Sequence, residues 1–379
     1  MKGKHQTVIL VAILAAIGIF PAVAPALSAT YNYTVIQITD NLHYPSSLTL
    51  NDRGHVFWEE KLSDTSFRLW RYQAGGNVPI HSDTRPYNSI MANNNDQVVW
   101  QRNYNDAAGS HYDIYLYRDG IAYQLTNGAA DNTERFWPQI NDHGKVTWVE
   151  DFHDGDMQIG VYQGAGIGYL GRVTGHITSP ARLNNQGHIV WKSYISAGGN
   201  HQVNFYNGAT TIILADTLMQ PYGPKINDQD EVVWSEVIGP GSDLILYSHG
   251  APTTISEQGG DLFEINDLGQ VAWISTTGRL NLYSGGVNTE VDLADRISFA
   301  FNNQGEIAYQ DYDNFLKRYD PINKVTEPVK SGPSIHGNLQ INARGQILWI
   351  NATVYPALAY LAYPNRGRIV PPLELLLLD

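Results

Sequence analysis

The chain has 379 residues, of which 43% are hydrophobic, so it can bury a sizeable core and is not globally disordered. It carries 24 Lys and Arg against 37 Asp and Glu, and no Lys/Arg-rich run, which excludes a general binder of the nucleic-acid backbone. It contains no cysteine, which excludes disulfides, thiol catalysis and Cys-based metal sites. The 23 Tyr and 9 Trp, with 35 Gly and 18 Pro, indicate an all-β, turn-rich protein.

The first 29 residues have the pattern of a secretory signal peptide. Two lysines precede an uninterrupted apolar run over residues 8–20, and small residues follow the run. Cleavage after Ala29 or after Ala26 fits this pattern. An uncleaved membrane anchor is the alternative, because the apolar stretch approaches spanning length. Cleavage at residue 29 removes two Lys and no acidic residue, which leaves a charge of 22 minus 37, or −15. We expect a secreted, periplasmic or cell-surface protein.

After this segment, one phrase recurs eight times at spacings of 36 to 48 residues. It consists of Asn, then Asp or Asn in seven copies and Ala in the eighth, and usually Gly two residues later, followed by an apolar run that ends in an aromatic residue. Asn and Asp tolerate left-handed backbone geometry and Gly supplies positive φ, so the phrase predicts a tight turn between two strands. Asp replaces the glycine in two copies, at positions 96 and 230. The leading asparagines are Asn51, Asn93, Asn141, Asn184, Asn227, Asn266, Asn302 and Asn342.

A second landmark follows each turn: an apolar run that ends in Tyr and is followed by Gly or Pro, and then a weaker strand. Four short strands in about 40 residues are typical of one blade of a β-propeller. The aromatic residue seven positions after each Asn is Trp in seven copies and Tyr309 in the other. A bulky aromatic that recurs at one strand position predicts packing between neighbouring blades.

The stretch "YTVIQITDN" (residues 33–41) resembles the last strand of a blade rather than the first. It predicts that the N-terminal strand completes the eighth blade and closes the ring, because an open radial sheet would leave a long unpaired edge. The fold class is therefore all-β, an eight-bladed propeller of four-stranded blades. A seven-bladed ring with one accessory unit is the alternative.

The stretches "PQINDHGKVTW" and "PKINDQDEVVW" resemble the repeats of TolB-like and WD40-like β-propellers, especially those of secreted bacterial or archaeal proteins. The stretch "YDIYLYRDGIAYQLTNG" fits the rest of such a unit. The resemblance implies a propeller domain over residues 30–363, between the signal peptide (1–29) and a C-terminal tail (364–379). It also implies that the Asn–Asp turns lie on one face. The loops between blades, and the loops between the second and third strands of each blade, then lie on the other face. It implies little about activity, because propellers host binding, scaffolding and catalysis.

The loops of variable length are the predicted functional side. They contain aromatic and cationic residues, and Trp137 falls outside the register of the repeat. Aromatic faces stack on sugar rings and Arg pairs with carboxylates, which favours a sugar or acidic saccharide as ligand. The alternative is a set of ordinary loop residues. The candidate ligand-binding residues are Tyr87, Arg135, Trp137, His176, Arg182, Tyr222 and His336, and Lys225 lies in the same group of loops.

The stretch "EDFHDGDMQ" (residues 150–158) is acidic. Its carboxylates at Asp151, Asp154 and Asp156 predict a Ca²⁺ site, since Ca²⁺ takes six to eight oxygen ligands. The stretch lacks the full EF-hand pattern, and a solvated loop of turn-forming residues is the alternative. No other cofactor is expected.

The sequence contains no nucleophile elbow, no H-E-x-x-H, no P-loop and no dinucleotide fingerprint. Together with eight near-equivalent units and no single outstanding polar cluster, these absences favour a binding or scaffold module for a surface polymer or protein partner, and we expect a monomer. We expect a polysaccharide or an envelope or extracellular protein as partner, no nucleic acid, and no membrane contact beyond the signal segment. The alternative is a polysaccharide lyase acting on uronate-containing glycans, which needs cations and a His/Tyr pair for proton transfer, with its catalytic residues unassigned. A third possibility is a periplasmic scaffold resembling TolB.

Overall fold

The computed structural model describes most of the chain between residues 32 and 365. The predicted signal peptide, most of the predicted tail (366–379) and His336 lie outside the described residues. Within the described residues, no helix has the length and apolarity needed to cross a membrane. The described ranges are 32–40, 45–73, 75–106, 109–131, 133–238, 241–296, 298–332, 335, 338–351 and 356–365.

The described residues form β-strands almost throughout, and among them there is one four-residue helical segment, α1 (Gly128–Asp131). The strands occur as one N-terminal strand followed by eight repeats. In chain order they are β1 (Tyr33–Gln37); β2 (Pro45–Leu50), β3 (Val56–Ser63), β4 (Ser66–Gln73), β5 (Gly76–Asp83); β6 (Tyr87–Ala92), β7 (Val98–Asp106), β8 (Gly109–Arg118), β9 (Ile121–Gln124); β10 (Glu134–Ile140), β11 (Val146–Asp151), β12 (Asp156–Tyr162), β13 (Ile167–Ile177); β14 (Arg182–Leu183), β15 (Ile189–Ile195), β16 (Asn200–Tyr206), β17 (Thr211–Thr217); β18 (Pro221–Ile226), β19 (Val232–Ile238), β20 (Gly241–Ser248), β21 (Ala251–Ser256); β22 (Leu262–Ile265), β23 (Val271–Ile274), β24 (Arg279–Ser284), β25 (Val287–Leu293); β26 (Phe299–Phe301), β27 (Ile307–Gln310), β28 (Phe315–Asp320), β29 (Val325–Ser331); and β30 (Gln340–Ile341), β31 (Ile347–Asn351), β32 (Leu358–Pro364).

These strands form six four-stranded antiparallel sheets and one eight-stranded sheet. The eight-stranded sheet contains the third and fourth repeats, because β13 pairs with β12 and then, over Gly175–Ile177, with β15. The N-terminal strand β1 pairs antiparallel with β32, with Tyr33 opposite Pro364 and Gln37 opposite Tyr360. The first and last described strands therefore meet in one sheet, as the sequence predicted, and the predicted all-β propeller fold is confirmed.

The core lies between the sheets. The recurring aromatic residue is buried in every repeat, with 0–3% of its surface exposed. The described residues form eight hydrophobic clusters, and each cluster joins two consecutive repeats. Trp148, for example, packs with Ile114 and Leu116 of the preceding repeat, and Trp58 packs with Leu348 of the last repeat. The predicted role of these aromatics in packing between blades is confirmed.

The leading asparagine of each repeat holds its own turn. In the first repeat, Asn51 Oδ1 accepts hydrogen bonds from the backbone N–H groups of Arg53 (3.1 Å) and His55 (3.0 Å). In all eight repeats this oxygen accepts from the N–H four positions later, over 2.8–3.0 Å. The asparagines are 3–5% exposed, so their polar atoms need partners within the protein.

The same eight asparagines form a closed circle of hydrogen bonds. The Nδ2 of each donates to the backbone carbonyl of the leading asparagine in the next repeat, over 2.8–3.1 Å, and Asn342 donates to Asn51. An ionised aspartate would accept in its own turn but could not donate to the next repeat. This double requirement explains why the position is Asn in all eight copies.

A second series of hydrogen bonds runs one residue later in each turn. There the backbone N–H donates to the side-chain oxygen of the corresponding residue in the next repeat, over 2.7–3.0 Å. Since Ala343 has no side-chain acceptor, the series is open between the seventh and eighth repeats. Its members are Asp52, Asn94, Asp142, Asn185, Asp228, Asp267, Asn303 and Ala343.

The glycine of the turn makes room for the preceding repeat. A Cβ on Gly54 would lie 2.4 Å from Oε1 of Gln346, and a Cβ on Gly269 would lie 2.6 Å from Oε2 of Glu231. Both long side chains stand four positions after a leading asparagine. In five repeats such a Gln or Glu also accepts a hydrogen bond from the asparagine Nδ2, over 2.7–2.9 Å.

Two repeats have a different pair of residues at this contact. They carry His four positions after the leading asparagine, and the following repeat carries Asp in place of its turn glycine. His188 Nδ1 lies 2.6 Å from Oδ1 of Asp230, which also accepts from Asn184 Nδ2 at 2.9 Å. His55 and Asp96 repeat this arrangement, with a distance of 2.8 Å between the imidazole and the carboxylate. Both aspartates have positive φ, 61° and 62°, as the sequence predicted for residues that replace the turn glycine. The two departures from glycine are therefore paired with the two histidines.

Replacement of Ala343 by Asn should close the second series of hydrogen bonds. We expect the free energy of unfolding to rise by about 1 kcal/mol, the net contribution of one such bond. Urea titration of Ala343→Asn and of Ala343→Val, which adds bulk without an acceptor, measures the difference. Equal stability of the two variants would contradict the role assigned to the missing acceptor.

The His188–Asp230 pair should behave as one unit in a double-mutant cycle. His188→Gln and Asp230→Gly are each expected to destabilise the fold, while the double variant recreates the Gln–Gly combination of the other repeats. We expect a coupling free energy between about 0.5 and 3 kcal/mol, measured by thermal or urea unfolding. Strictly additive effects would show that the two positions are independent.

Candidate functional site

The first strands of the repeats surround an axial cavity. Its widest part, about 910 Å³, lies on the side opposite the Asn–Asp turns, where these strands begin. A narrower part of about 270 Å³ follows and shares Met91, Arg182 and Lys225 with the first. A third part, also about 270 Å³, shares Ile140 and Ile226 with the second and is lined by the Asn–Asp turns. The shared residues make the three parts consecutive along one axis.

Three positions of the repeat mark successive levels along this axis, and we name them from the mouth inward. The rim is the position four residues before the leading asparagine, the belt is two residues before it, and the floor consists of the Asn–Asp turns. All eight belt residues line the cavity. They are Thr49, Met91, Gln139, Arg182, Lys225, Glu264, Ala300 and Gln340.

The charges of the belt are concentrated in three consecutive repeats. Lys225 is paired with Glu264 through Nζ and Oε1. Arg182 Nη1 donates to Gln139 Oε1 at 3.0 Å, and within the described part of the chain no carboxylate lies at ion-pair distance from its guanidinium. The belt therefore holds two cations against one carboxylate, in a protein whose overall charge is negative.

Burial shapes the titration of both cations. It lowers the pKa of Arg182, and the charge of Glu264 partly opposes this effect. It also lowers the pKa of Lys225, where Glu264 opposes the shift and the charge of Arg182 adds to it. The two cations are thus close enough to repel each other, and their solvation is incompletely replaced by protein groups.

The floor has the opposite charge. Asparagine side chains stand between carboxylates, so that Asn94 Nδ2 donates to Asp52 Oδ2 and to Asp142 Oδ2, each at 3.0 Å. Burial raises the pKa of Asp267, and the charge of Asp228 contributes to this shift. A cationic belt therefore stands above an anionic floor.

Trp137 occupies the rim position of the third repeat, but it is not among the residues that line the axial cavity. Its φ is 54°, as at the rim residues Ser47 (51°), Ser89 (52°) and Asn338 (58°). It lies in the bulge of β10, where pairing with β11 skips from Phe136 to Gln139. A left-handed backbone is uncommon for so large a residue, and such strain is concentrated at functional sites. The indole remains 37% exposed, with its ring 5.9 Å from that of Phe136.

Of the other predicted ligand-binding residues, Arg182 lies in the belt. Tyr222 is 41% exposed and precedes the rim position of the fifth repeat. His176 is exposed on β13, opposite Tyr194 of β15, and does not line the axial cavity. The structure thus brings Trp137, Arg182 and Tyr222 to one series of first strands and leaves His176 apart from them.

Arg135 and Tyr87 were also predicted at the open surface, and the structure places both inside the protein. Arg135 is 3% exposed, and its guanidinium pairs with Glu150 (2.9 Å) and Asp131 (2.5 Å). Tyr87 is 1% exposed, and its hydroxyl lies 2.7 Å from His81 Nδ1. Both residues belong to first strands, β10 and β6, rather than to loops, which explains the error.

The predicted Ca²⁺ ligands have other partners. Asp156 Oδ2 accepts from Arg172 Nε at 2.9 Å, and Asp154 Oδ2 lies 3.4 Å from the same guanidinium. Asp151 Oδ1 accepts from the backbone N–H of His153 at 2.8 Å. Within the ranges that the structure describes, no group of three or more His, Asp or Glu side chains is arranged to hold a metal ion.

The sequence interpretation missed Gln139 and Glu264. Neither residue is unusual by itself: Glu264 is the one polar residue of β22, and Gln139 shares β10 with Glu134 and Arg135. Their position in the repeat could have identified them. Two residues before the leading asparagine, the third to sixth repeats have Gln, Arg, Lys and Glu. Alignment of the repeats on their asparagines would have grouped these four side chains.

No family model and no curated protein matches this chain. Solved structures do match its fold. The C-terminal WD40 domain of Sif2 aligns with a TM-score of 0.58 and 14% identity, over 87% of this chain and 98% of that domain. A puromycin-hydrolyzing peptidase of Mycobacterium tuberculosis gives 0.55 and 13%, over 83% of this chain, which spans only 58% of the peptidase. An oligogalacturonate lyase in complex with manganese gives 0.51 and 12%, over 89% and 98% of the two chains. At these identities the likeness concerns the fold alone. The protein is a β-propeller repeat protein.

The backbone at Trp137 can be tested by two substitutions. Trp137→Gly and Trp137→Ala remove the same indole, but only glycine adopts a φ of 54° without steric cost. We expect the glycine variant to be more stable than the alanine variant by up to about 1 kcal/mol, measured by urea unfolding. A more stable alanine variant would contradict the left-handed conformation.

Proposed function

We propose that this protein is an exported binding or scaffold module, which holds a surface polymer or a protein partner at the face opposite the Asn–Asp turns. One observation carries the proposal: the axial cavity opens on that face with two cations in its belt, and an exposed indole with a left-handed backbone lies on the same face, at the rim position of the third repeat. Aromatic and arginine side chains around a concavity are the groups that most often anchor ligands and partners. Export rests on the signal-peptide pattern of residues 1–29.

The chemistry of the cavity favours binding over catalysis. Among the described residues that line the axial cavity there is no histidine and no tyrosine. A lyase acting on uronate needs a group that removes a proton next to the carboxylate, and His or Tyr is the usual choice. The cations of the belt can hold a ligand, but they supply no such base in their charged form.

Binding should depend on Trp137 and not on an equally exposed aromatic elsewhere. Trp137→Ala is expected to weaken binding of the full-length protein to its glycan or protein ligand at least about tenfold, because an aromatic anchor contributes 2 kcal/mol or more. Tyr123→Ala is the matched control, since Tyr123 is also 37% exposed but lies on the outer strand β9. Glycan arrays and titrations with purified extracellular or envelope proteins measure the effect. Equal effects of the two substitutions would contradict this placement of the binding face.

A further inference from the structure

We propose that Arg182 and Lys225 form a recognition site for a carboxylate carried by a hydroxylated ligand, that is, for an acidic sugar residue. The inference deepens the proposed function and rests on it, since it specifies what the same cavity binds. Three features carry it: an uncompensated cation, an anionic floor beneath it, and a wall of hydroxyl and apolar groups above it.

The uncompensated cation is Arg182. A charge that loses part of its hydration normally gains an ionic partner within the protein. Arg135 shows this rule in the same chain, since Glu150 and Asp131 both pair with its guanidinium. Arg182 has only the neutral Gln139 as hydrogen-bond partner among the described residues, and its remaining N–H donors are available to an anion in the cavity.

The belt favours a single negative charge of planar shape. Arg182 and Lys225 together carry two positive charges and Glu264 carries one negative charge, which leaves one positive charge to balance. Glu264 is engaged by Lys225, so the guanidinium remains the main donor. A guanidinium binds a carboxylate through two parallel hydrogen bonds, and an ammonium beside it adds attraction without a fixed direction.

The negative charge of the floor limits how far an anionic ligand can enter the cavity. Asp52, Asp142, Asp228 and Asp267 lie one step further along the axis. Their charges repel an anion, so a carboxylate that enters from the mouth is expected to stop at the belt. The rest of the ligand then remains in the wide part of the cavity, whose volume of about 910 Å³ suits a small organic molecule.

The wall of the wide part of the cavity, which includes rim residues, matches a sugar. Its polar groups include the hydroxyls of Ser47, Ser89 and Ser298, which donate to and accept from ligand hydroxyls. Met91 and Leu262 are half-buried, line the same space and offer apolar surface to the less polar face of a ring. A ligand with one carboxylate, several hydroxyls and an apolar face therefore uses each of these groups.

The stability of an Arg182 variant distinguishes a purely structural role of this residue from a role in ligand binding. If the guanidinium served only to balance the floor carboxylates, Arg182→Gln would destabilise the protein. If it is held for a ligand, removal of an unpaired, partly buried charge should leave the melting temperature of the ligand-free protein unchanged or higher. Thermal unfolding of the full-length variant, with Arg279→Gln as the control at a surface ion pair, separates the two cases.

Calorimetric titration with a galacturonate trisaccharide tests the ligand class, and the fully methyl-esterified trisaccharide is the matched neutral probe. We expect the acid form to bind at least tenfold more tightly than the ester. Arg182→Gln should weaken binding of the acid about 10- to 100-fold, as expected for loss of charge-assisted hydrogen bonds. Arg182→Lys should retain part of the affinity, and Arg279→Gln should retain all of it.

Equal affinity for acid and ester, equal effects of Arg182→Gln and Arg279→Gln, or a destabilised Arg182→Gln would overturn the inference. Tighter binding of an acidic peptide than of the trisaccharide would also overturn it, because the ligand would then lack the sugar hydroxyls. If the protein binds a neutral glycan or a protein partner in a Trp137-dependent manner while the trisaccharide fails, the proposed function stands and the carboxylate site does not. If no ligand binds in either experiment, both are wrong.

Discussion

The structure depends on the side chain of the leading asparagine, which makes hydrogen bonds in two repeats at once. The carboxamide of each leading asparagine accepts hydrogen bonds inside its own turn and donates one to the next repeat, and the donor chain returns from Asn342 to Asn51. Because this circle joins all eight repeats at one end of their first strands, it fixes how closely those strands approach the axis. The Trp-centred clusters then fill the wedges between the sheets, where the strands diverge. The axial cavity is the space that this geometry leaves.

Within that geometry, the same strand carries scaffold and candidate site at adjacent positions. The leading asparagine must satisfy partners in two repeats, so it tolerates no variation among the copies. Two residues earlier, the belt side chain lines the cavity, and the eight copies differ in size, polarity and charge. The bulge in several first strands adds a second free position at the rim, where a serine in one repeat corresponds to Trp137 in another. Variation at cavity-facing positions lets a repetitive fold build an asymmetric site.

The sequence predicted those features that local chemistry determines in every copy: the turns, the buried aromatics, the propeller and the pairing of its termini. It failed where a side chain's direction depends on a bulge or on the neighbouring repeat. Arg135 and Tyr87 read as loop residues, yet their strands turn them towards Glu150 and His81. Gln139 and Glu264 read as ordinary strand residues, because their importance comes from Arg182 and Lys225, which are about 40 residues away in the chain. Long-range partners of this kind have no signal within a single repeat.

The two His–Asp pairs in the turns also bear on how repeats can be added to such a ring by duplication. His55 and His188 each depend on an aspartate that belongs to the following repeat, Asp96 and Asp230. Duplication of one repeat alone would copy a histidine without its aspartate, or an aspartate that faces a glutamine. Duplication of two or more consecutive repeats would carry the pair intact. The unit of inheritance in this fold is therefore the junction between repeats as much as the repeat itself.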